Sequence, residues 1–229
     1  DGLWTYYYKN QQVLKTVNFK TDLRNGDYKV YFEDGKKSKT GQFAQDEEDG
    51  KWIEWYENGK VKTEGEFKNG LMHGLWEGYY RNGIKKYITQ YKNDLKNGSF
   101  VQYYPNGKEG IKGTYKNNHK IGEWTDWYDK GATVRQKGRY KLVAKKKGVR
   151  KGVLGTTRSS QLDTSSIKDG VWLTYFDGQV NTLSIKTPYK NGKIHGWMIQ
   201  YYSTGGIKSK TKFVKGAKHG KMKVYDKKG

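Results

Sequence analysis

Gly50-Lys51-Trp52-Ile53-Glu54-Trp55-Tyr56-Glu57-Asn58-Gly59 is the stretch on which the fold of this sequence turns. A glycine is followed two residues on by a large ring, five and six residues on by a pair of rings, and then by Asn-Gly. The same order recurs from Gly74, with Trp76, Tyr79-Tyr80 and Asn82-Gly83, and from Gly98, with Phe100, Tyr103-Tyr104 and Asn106-Gly107. Working outward, the leading glycines fall at Gly2, Gly26, Gly50, Gly74, Gly98 and Gly122, 24 residues apart. The series resumes 48 residues later at Gly170 and continues at Gly196 and Gly220. Self-similarity at a fixed period is the signature of a repeat architecture and takes precedence over other readings.

Each unit closes with a polar run ending on one ring (Phe19, Phe43, Phe67, Tyr91, Tyr115, Phe213, with Tyr140 and Tyr189 slightly displaced) and a second turn such as Lys68-Asn69-Gly70. Aromatic residues suit the pleated, half-buried surface of a strand. Asn-Gly between such runs predicts a hairpin with a type I′ turn, in which both central residues have positive φ. One hairpin is marginal alone, so stability must come from stacking on neighbours. The fold class expected is all-β: an elongated, curved, single-layer antiparallel sheet of about nine stacked hairpin repeats of roughly 24 residues. The division expected is residues 1–141 as repeats one to six, 142–169 as an insertion or degenerate repeat, and 170–229 as repeats seven to nine. The rings Trp52, Trp55, Trp76, Tyr79, Tyr103, Trp124, Trp127, Trp172 and Tyr175 are read as a mainly structural aromatic face.

Composition agrees with a thin structure. Hydrophobic residues make up 33%, and 8 Trp, 20 Tyr and 7 Phe account for nearly half of them, leaving few aliphatic side chains for a thick core. The net charge of +22 is uneven: residues 1–121 hold 21 basic and 16 acidic residues, 122–169 hold 12 and 5, and 170–229 hold 12 and 2. Such a field attracts acidic partners or serves as a solvating surface. There is no Cys and no run of apolar residues long enough to span a membrane. The chain begins at Asp1 rather than Met, which leaves open processing, a fragment, or an exported or cell-envelope location; soluble and peripheral are both compatible with the sequence. Both ends cut across the repeat phase without an atypical cap, so the natural protein is expected to extend further.

The units quoted resemble the bacterial variant of the MORN repeat (membrane occupation and recognition nexus), a family often labelled an antitoxin component of toxin–antitoxin systems. The resemblance covers almost the whole chain apart from about residues 142–168. It implies a protein-interaction and scaffolding array, with phospholipid binding proposed for some members and a neutralising binder implied by the antitoxin label. It carries no catalytic signature. The departure from the pattern is the stretch Arg135 to Lys151, with nine basic residues (Arg135, Lys137, Arg139, Lys141, Lys145, Lys146, Lys147, Arg150, Lys151) and no acidic one, followed by a Gly/Thr/Ser-rich segment. It reads either as a degenerate unit or solvated loop, or as a binding element for an acidic partner.

No catalytic, metal or cofactor site is read from the sequence. His73, His195 and His219 precede repeat glycines and His119 lies two positions earlier in its unit, so they recur as turn residues and are too far apart for a zinc motif. The run Asp46-Glu47-Glu48-Asp49 lacks the alternation of a calcium loop. No nucleophile elbow occurs, and residues 148–155 lack the order of a phosphate loop. The expected function is a non-catalytic scaffold for protein partners with an acidic or apolar patch, alone or as a subunit of a larger assembly. Binding of anionic lipid, acidic glycan or nucleic acid is the alternative.

Overall fold

The computed structural model describes residues 1–129, 133–146 and 162–227, and at residues 145, 146, 162 and 163 the backbone alone. The chain divides into two units, Asp1–Asn118 and His119–Gly229. The described residues contain no helix.

The first unit is an antiparallel sheet of ten strands: β1 (Gly2–Tyr7), β2 (Val13–Lys20), β3 (Leu23–Tyr31), β4 (Lys37–Ala44), β5 (Glu47–Trp55), β6 (Val61–Lys68), β7 (Leu71–Tyr79), β8 (Lys85–Lys92), β9 (Leu95–Tyr103) and β10 (Glu109–Lys116). Each strand pairs with the next in sequence, so every connection is a hairpin. The second unit repeats the scheme with β11 (His119–Trp127), β12 (Val134–Lys146), β13 (Leu162–Tyr175), β14 (Leu183–Lys190), β15 (Lys193–Ile194), β16 (Gly196–Tyr201), β17 (Ile207–Val214), β18 (Ala217–Lys218) and β19 (Lys223–Val224).

Two kinds of turn alternate, and their chemistry differs from the sequence expectation. At Asn58-Gly59, Asn82-Gly83 and Asn106-Gly107 only the glycine takes a positive φ, between 79° and 88°. The Gly83 N–H donates to the Tyr80 carbonyl at 2.8 Å and the Tyr80 N–H to the Ile84 carbonyl at 2.8 Å. This is a three-residue loop, a type I turn followed by a left-handed glycine, rather than type I′. The type I′ geometry sits at the opposite end of the hairpins, where two positive-φ residues adjoin: Asn69 (50°) with Gly70 (71°), and Asn93 (49°) with Asp94 (62°). Asn is needed in the first loop for a different reason. The Asn82 Oδ1 accepts from the Ile84 N–H at 3.0 Å, and its Nδ2 donates to the Pro105 carbonyl of the next repeat at 3.0 Å. Asn58 does the same toward Lys60 and Arg81.

The leading glycines Gly26, Gly50, Gly74, Gly98 and Gly170 lie in bulges. Glu64 pairs with Glu77 and Glu66 with His73, so Gly74, Leu75 and Trp76 lie opposite Gly65 alone. Gly74 takes φ 68°, which glycine adopts without a steric cost. The bulge presses the ring two residues later against the preceding strand. A Cβ on Gly65 would lie 2.2 Å from the Trp76 indole, one on Gly41 2.1 Å from Trp52, and one on Gly138 2.2 Å from Trp172. Where the equivalent strand position is Val17 or Thr89, the next unit carries the smaller Tyr28 or Phe100.

Hydroxyls complete the attachment of unit to unit. Tyr8 donates to the Tyr31 carbonyl at 2.8 Å, Tyr56 to Tyr79 at 2.9 Å and Tyr80 to Tyr103 at 2.8 Å, each 23 residues on. In the second unit Tyr202 donates to Tyr225 at 2.9 Å. Tyr128 makes the same bond to Tyr175, 47 residues away, at 3.1 Å. The repeat begun at Gly122 therefore stacks directly on the repeat begun at Gly170. The intervening backbone runs out along β12 and back along β13, paired from Lys141↔Ile167 to Lys146↔Leu162. Residues 142–146 and 162–167 thus prolong the second-turn end of a hairpin as a two-stranded ribbon, and residues 147–161 lie outside the described residues.

Two outcomes test this packing. Gly65→Ala should lower stability by about 1–3 kcal/mol through overpacking against Trp76, whereas Gly65→Thr combined with Trp76→Phe, which recreates the Thr89/Phe100 pair, should recover most of the loss in thermal melts. Tyr56→Phe and Tyr80→Phe should each cost about 1 kcal/mol in denaturant midpoints; melts indifferent to both would show that the hydroxyl bonds contribute nothing to cohesion.

Candidate binding surfaces

On one face of the first unit, rings from successive strands form an edge-to-face series. Tyr28 and Phe43 lie 5.2 Å apart, Phe43 and Trp52 5.2 Å, Trp52 and Phe67 5.9 Å, Phe67 and Trp76 5.1 Å, and Trp76 and Tyr91 6.2 Å. Aromatic pairs in this geometry contribute about 0.5–1.5 kcal/mol each beyond burial. In the second unit Trp124, Tyr140, Trp172 and Tyr189 continue the pattern at 6.2, 5.1 and 6.4 Å. Trp52, Trp76, Trp124, Trp172 and Tyr175 are buried, whereas Trp55, Tyr79, Tyr103 and Trp127 are half-buried. The described packing uses most of these rings to join repeats.

Cations cover the rings. Lys120 stands 4.2 Å from the Trp124 ring centre, and Lys168 stands 4.0 Å from that of Trp172. Burial pushes both ammonium groups below the ordinary lysine value, and the Lys120 charge adds to the effect at Lys168. Burial likewise pushes up the phenols of Tyr87, Tyr91, Tyr140 and Tyr189.

The opposite face differs between the units. In the first, residues paired strand to strand form the row Lys29, Thr40, Ile53, Glu64, Glu77, Ile88. Its charges are answered within the sheet. Lys51 pairs with Glu64 at 2.9 Å and Lys85 with Glu77 at 2.8 Å. The Tyr79 hydroxyl lies between the carboxylates, 2.9 Å from Glu64 and 2.5 Å from Glu77. Lys51 and then the Tyr79 hydroxyl hold the Glu64 carboxyl below the usual range. Burial first, then the two carboxylates, push the Tyr79 phenol far up.

In the second unit the corresponding row runs Lys137, Leu173, Lys186, Ile199, Lys210, Lys223. Between Asp177 and Asp226 the sequence has ten lysines and no carboxylate. A cleft of about 320 Å³ at the second-turn end is lined by Lys190, Asn191, Lys193, His195 and Lys215. The His195 Nδ1 accepts from the Lys215 N–H at 3.4 Å.

The basic residues singled out in the sequence separate into several roles. Arg135 is bound to the buried Asp126 carboxylate, which Gln136 also contacts at 3.2 Å. Lys141 pairs with Asp169 at 2.9 Å. Arg139 and Glu123 stand 4.0 Å apart, both largely exposed. Lys137 lies 5.7 Å from the Tyr175 ring centre. Lys145 and Lys146 end β12, their side chains outside the described atoms, and Lys147, Arg150 and Lys151 lie outside the described residues. The ring-covering lysines and the row from Lys186 to Lys223 were not singled out; assigning each polar position of the 24-residue alignment to a sheet face would have found them.

The repeat geometry has a counterpart among known families. Residues 24–45, 48–69 and 72–93 each match the family model of the MORN repeat variant. These stretches are MORN-type repeats. Each stretch covers one hairpin, β3–β4, β5–β6 or β7–β8, apart from the first residue of its first strand. MORN repeats are generally associated with protein or membrane binding, and the repeat family is non-catalytic. A comparison with curated proteins found no match. No helix among the described residues is long and apolar enough to cross a membrane.

The shifted tyrosines give a pH prediction. A phenol whose folded value is raised contributes stability that is fully present below its unfolded value, about 10, and is lost as pH rises through the folded value. Lys120 and Lys168, lowered by burial, act with the opposite sign, but the tyrosines outnumber them. Denaturant midpoints should therefore fall above about pH 10, and phenolate absorbance should rise together with loss of the strand signal. Full tyrosine ionisation near pH 10 with the sheet intact would contradict the burial of these rings.

Proposed function

We propose that the protein is a non-catalytic repeat scaffold that binds protein partners carrying acidic surface, and that it serves as a subunit of a larger assembly. The observation that carries this reading is the contrast in charge. On the face opposite the ring series the first unit pairs Lys51 and Lys85 with its own Glu64 and Glu77, whereas the strands after Asp177 present lysine without any carboxylate. A partner that supplies the missing carboxylates gains complementarity, which steers association and selects against basic competitors. The histidines recur from repeat to repeat as turn residues, and several tyrosine hydroxyls join neighbouring repeats, which supports binding over catalysis.

The basic stretch Arg135 to Lys151 extends the same field. Arg135 and Lys141 anchor it to Asp126 and Asp169, and the contact role falls to Lys145, Lys146, Lys147, Arg150 and Lys151. Binding of anionic lipid, glycan or nucleic acid is the second reading, favoured by the net charge and by the lysine-lined cleft.

Affinity capture from the native organism separates the two. The parent and a variant with those five residues replaced by serine are compared for captured proteins, anionic liposomes and nucleic acid at low salt and at about 0.3 M salt, where the Debye length is shorter than the roughly 8 Å of physiological buffer. A defined protein retained at the higher salt is the expected result. Capture of only nucleic acid or liposomes, lost steeply with salt, would replace the scaffold reading by the polyanion one. Equal capture by parent and variant would remove the 135–151 stretch from the binding surface.

A further inference from the structure

The lysine row of the second unit is interleaved with apolar side chains in a fixed order. Lys137 stands opposite Leu173, Leu173 opposite Lys186, Lys186 opposite Ile199, Ile199 opposite Lys210, and Lys210 opposite Lys223. Residues directly opposite across antiparallel strands point to the same face, so the row crosses one face of the sheet. Strands lie about 4.8 Å apart, which puts the lysines of alternate strands roughly 9–10 Å from one another with an apolar residue between. Beside this row, Trp197 stands opposite Lys212 and Val171 opposite Pro188. Val171 and Trp197, each one residue after a leading glycine, are 45% and 41% exposed.

From this alternation we infer that the face carrying Lys186, Lys210, Lys212, Leu173, Ile199 and Trp197 is a docking surface for an acidic protein segment in which carboxylates alternate with apolar side chains. This rests on the scaffold reading and gives it a face and a partner chemistry. Strands β14 to β19 hold no carboxylate, so the lysines repel one another until a partner supplies the counter-charge. Leu173 and Ile199 are half-buried between longer lysine side chains, whose stems lie along apolar surface while the ammonium groups stay in water. An acyl chain would have to pass the ammonium layer to reach them. A nucleic acid or acidic glycan offers charge but no apolar side chain to fill the gaps. A polypeptide brings both, and Trp197 is the kind of exposed ring that anchors such interfaces.

The full chain is titrated with fluorescent probes: a twelve-residue peptide of alternating glutamate and leucine, a twelve-residue polyglutamate, a twelve-nucleotide single-stranded DNA, and phosphatidylcholine vesicles containing phosphatidylserine. The Glu/Leu peptide should bind the parent most tightly. Its affinity should fall about tenfold in the combined Lys186→Glu, Lys210→Glu, Lys212→Glu variant, the loss expected when several partly exposed charge pairs are reversed together. Trp197→Ala should weaken the Glu/Leu peptide while leaving polyglutamate unchanged. A control with Lys68, Lys92 and Lys116, exposed lysines of the first unit, changed to glutamate makes the same change in net charge and should bind like the parent. Thermal melts establish that each variant is folded. Tighter binding of DNA or vesicles, no peptide binding by the parent, or equal loss in the control and row variants would each overturn the inference. A native partner that the row variant still captures would show that the scaffold reading survives while this face is not its site.

Discussion

The indole of Trp76 lies against the bare backbone of Gly65, and the rest of the array depends on contacts of that kind. A single sheet has no second layer to cover its rings. The apolar area each ring removes from water must be supplied by the neighbouring repeat. That requirement dictates the bulge at Gly74, which presses the ring backwards, and the absence of a side chain at Gly65, which receives it. It also explains why Trp52 is only 2% exposed in a chain with so few aliphatic residues. Each repeat leans on the one before, so cohesion is a sum of nearest-neighbour terms.

The hydrogen bonds between repeats follow from the same geometry. Once Trp76 fixes the spacing of successive hairpins, the Tyr56 hydroxyl reaches the Tyr79 carbonyl and the Asn58 amide reaches the Arg81 carbonyl. These bonds lie at the first-turn end, whereas the second-turn end closes through tight two-residue turns. The asymmetry shows in where the chain tolerates extra length. Between β12 and β13 the backbone adds a ribbon at the second-turn end, yet Tyr128 still bonds to Tyr175 and Tyr140 still packs on Trp172 at 5.1 Å. Length is free where no ring or hydroxyl must be met.

Much of this was legible in the sequence because glycine and aromatic residues have positional meaning that survives without neighbours. The 24-residue phase gave the strands and the hairpin order, but not the division of the rings between two faces, since Tyr79 lies with Glu64 and Glu77 on the face opposite Trp76. The turn types were read at the wrong end, because Asn-Gly satisfies two distinct geometries and the number of loop residues, three between Tyr80 and Ile84, decides between them. The glycines at 41, 65 and 138 went unread for a related reason: their role appears only when a residue is set against the ring of the following repeat, not against its own. The basic stretch at 135–151 looked uniform in one dimension. Folding assigns Arg135 and Lys141 to carboxylates nine or more residues away, which charge counting along the chain does not reveal.

A repeat array fixes the spacing of its surface positions before it fixes their chemistry. Positions on the face opposite the buried tryptophans recur on successive strands whatever residues occupy them, because the buried rings, the inter-repeat hydrogen bonds and the backbone ladder hold the register. Those positions can therefore diverge between repeats at little cost to the fold. In the first unit they have diverged toward mutual neutralisation, with Lys51, Glu64, Tyr79, Glu77 and Lys85 closed on one another. In the second they have diverged toward one sign, with lysine and aliphatic side chains alternating across the strands. Self-neutralised charges have spent their hydrogen-bonding capacity inside the chain, whereas uncompensated ones keep it. The same backbone rule thus yields a closed surface in one half of the sequence and an open one in the other, and the difference lies wholly in the solvent-facing positions that the ring pattern leaves free.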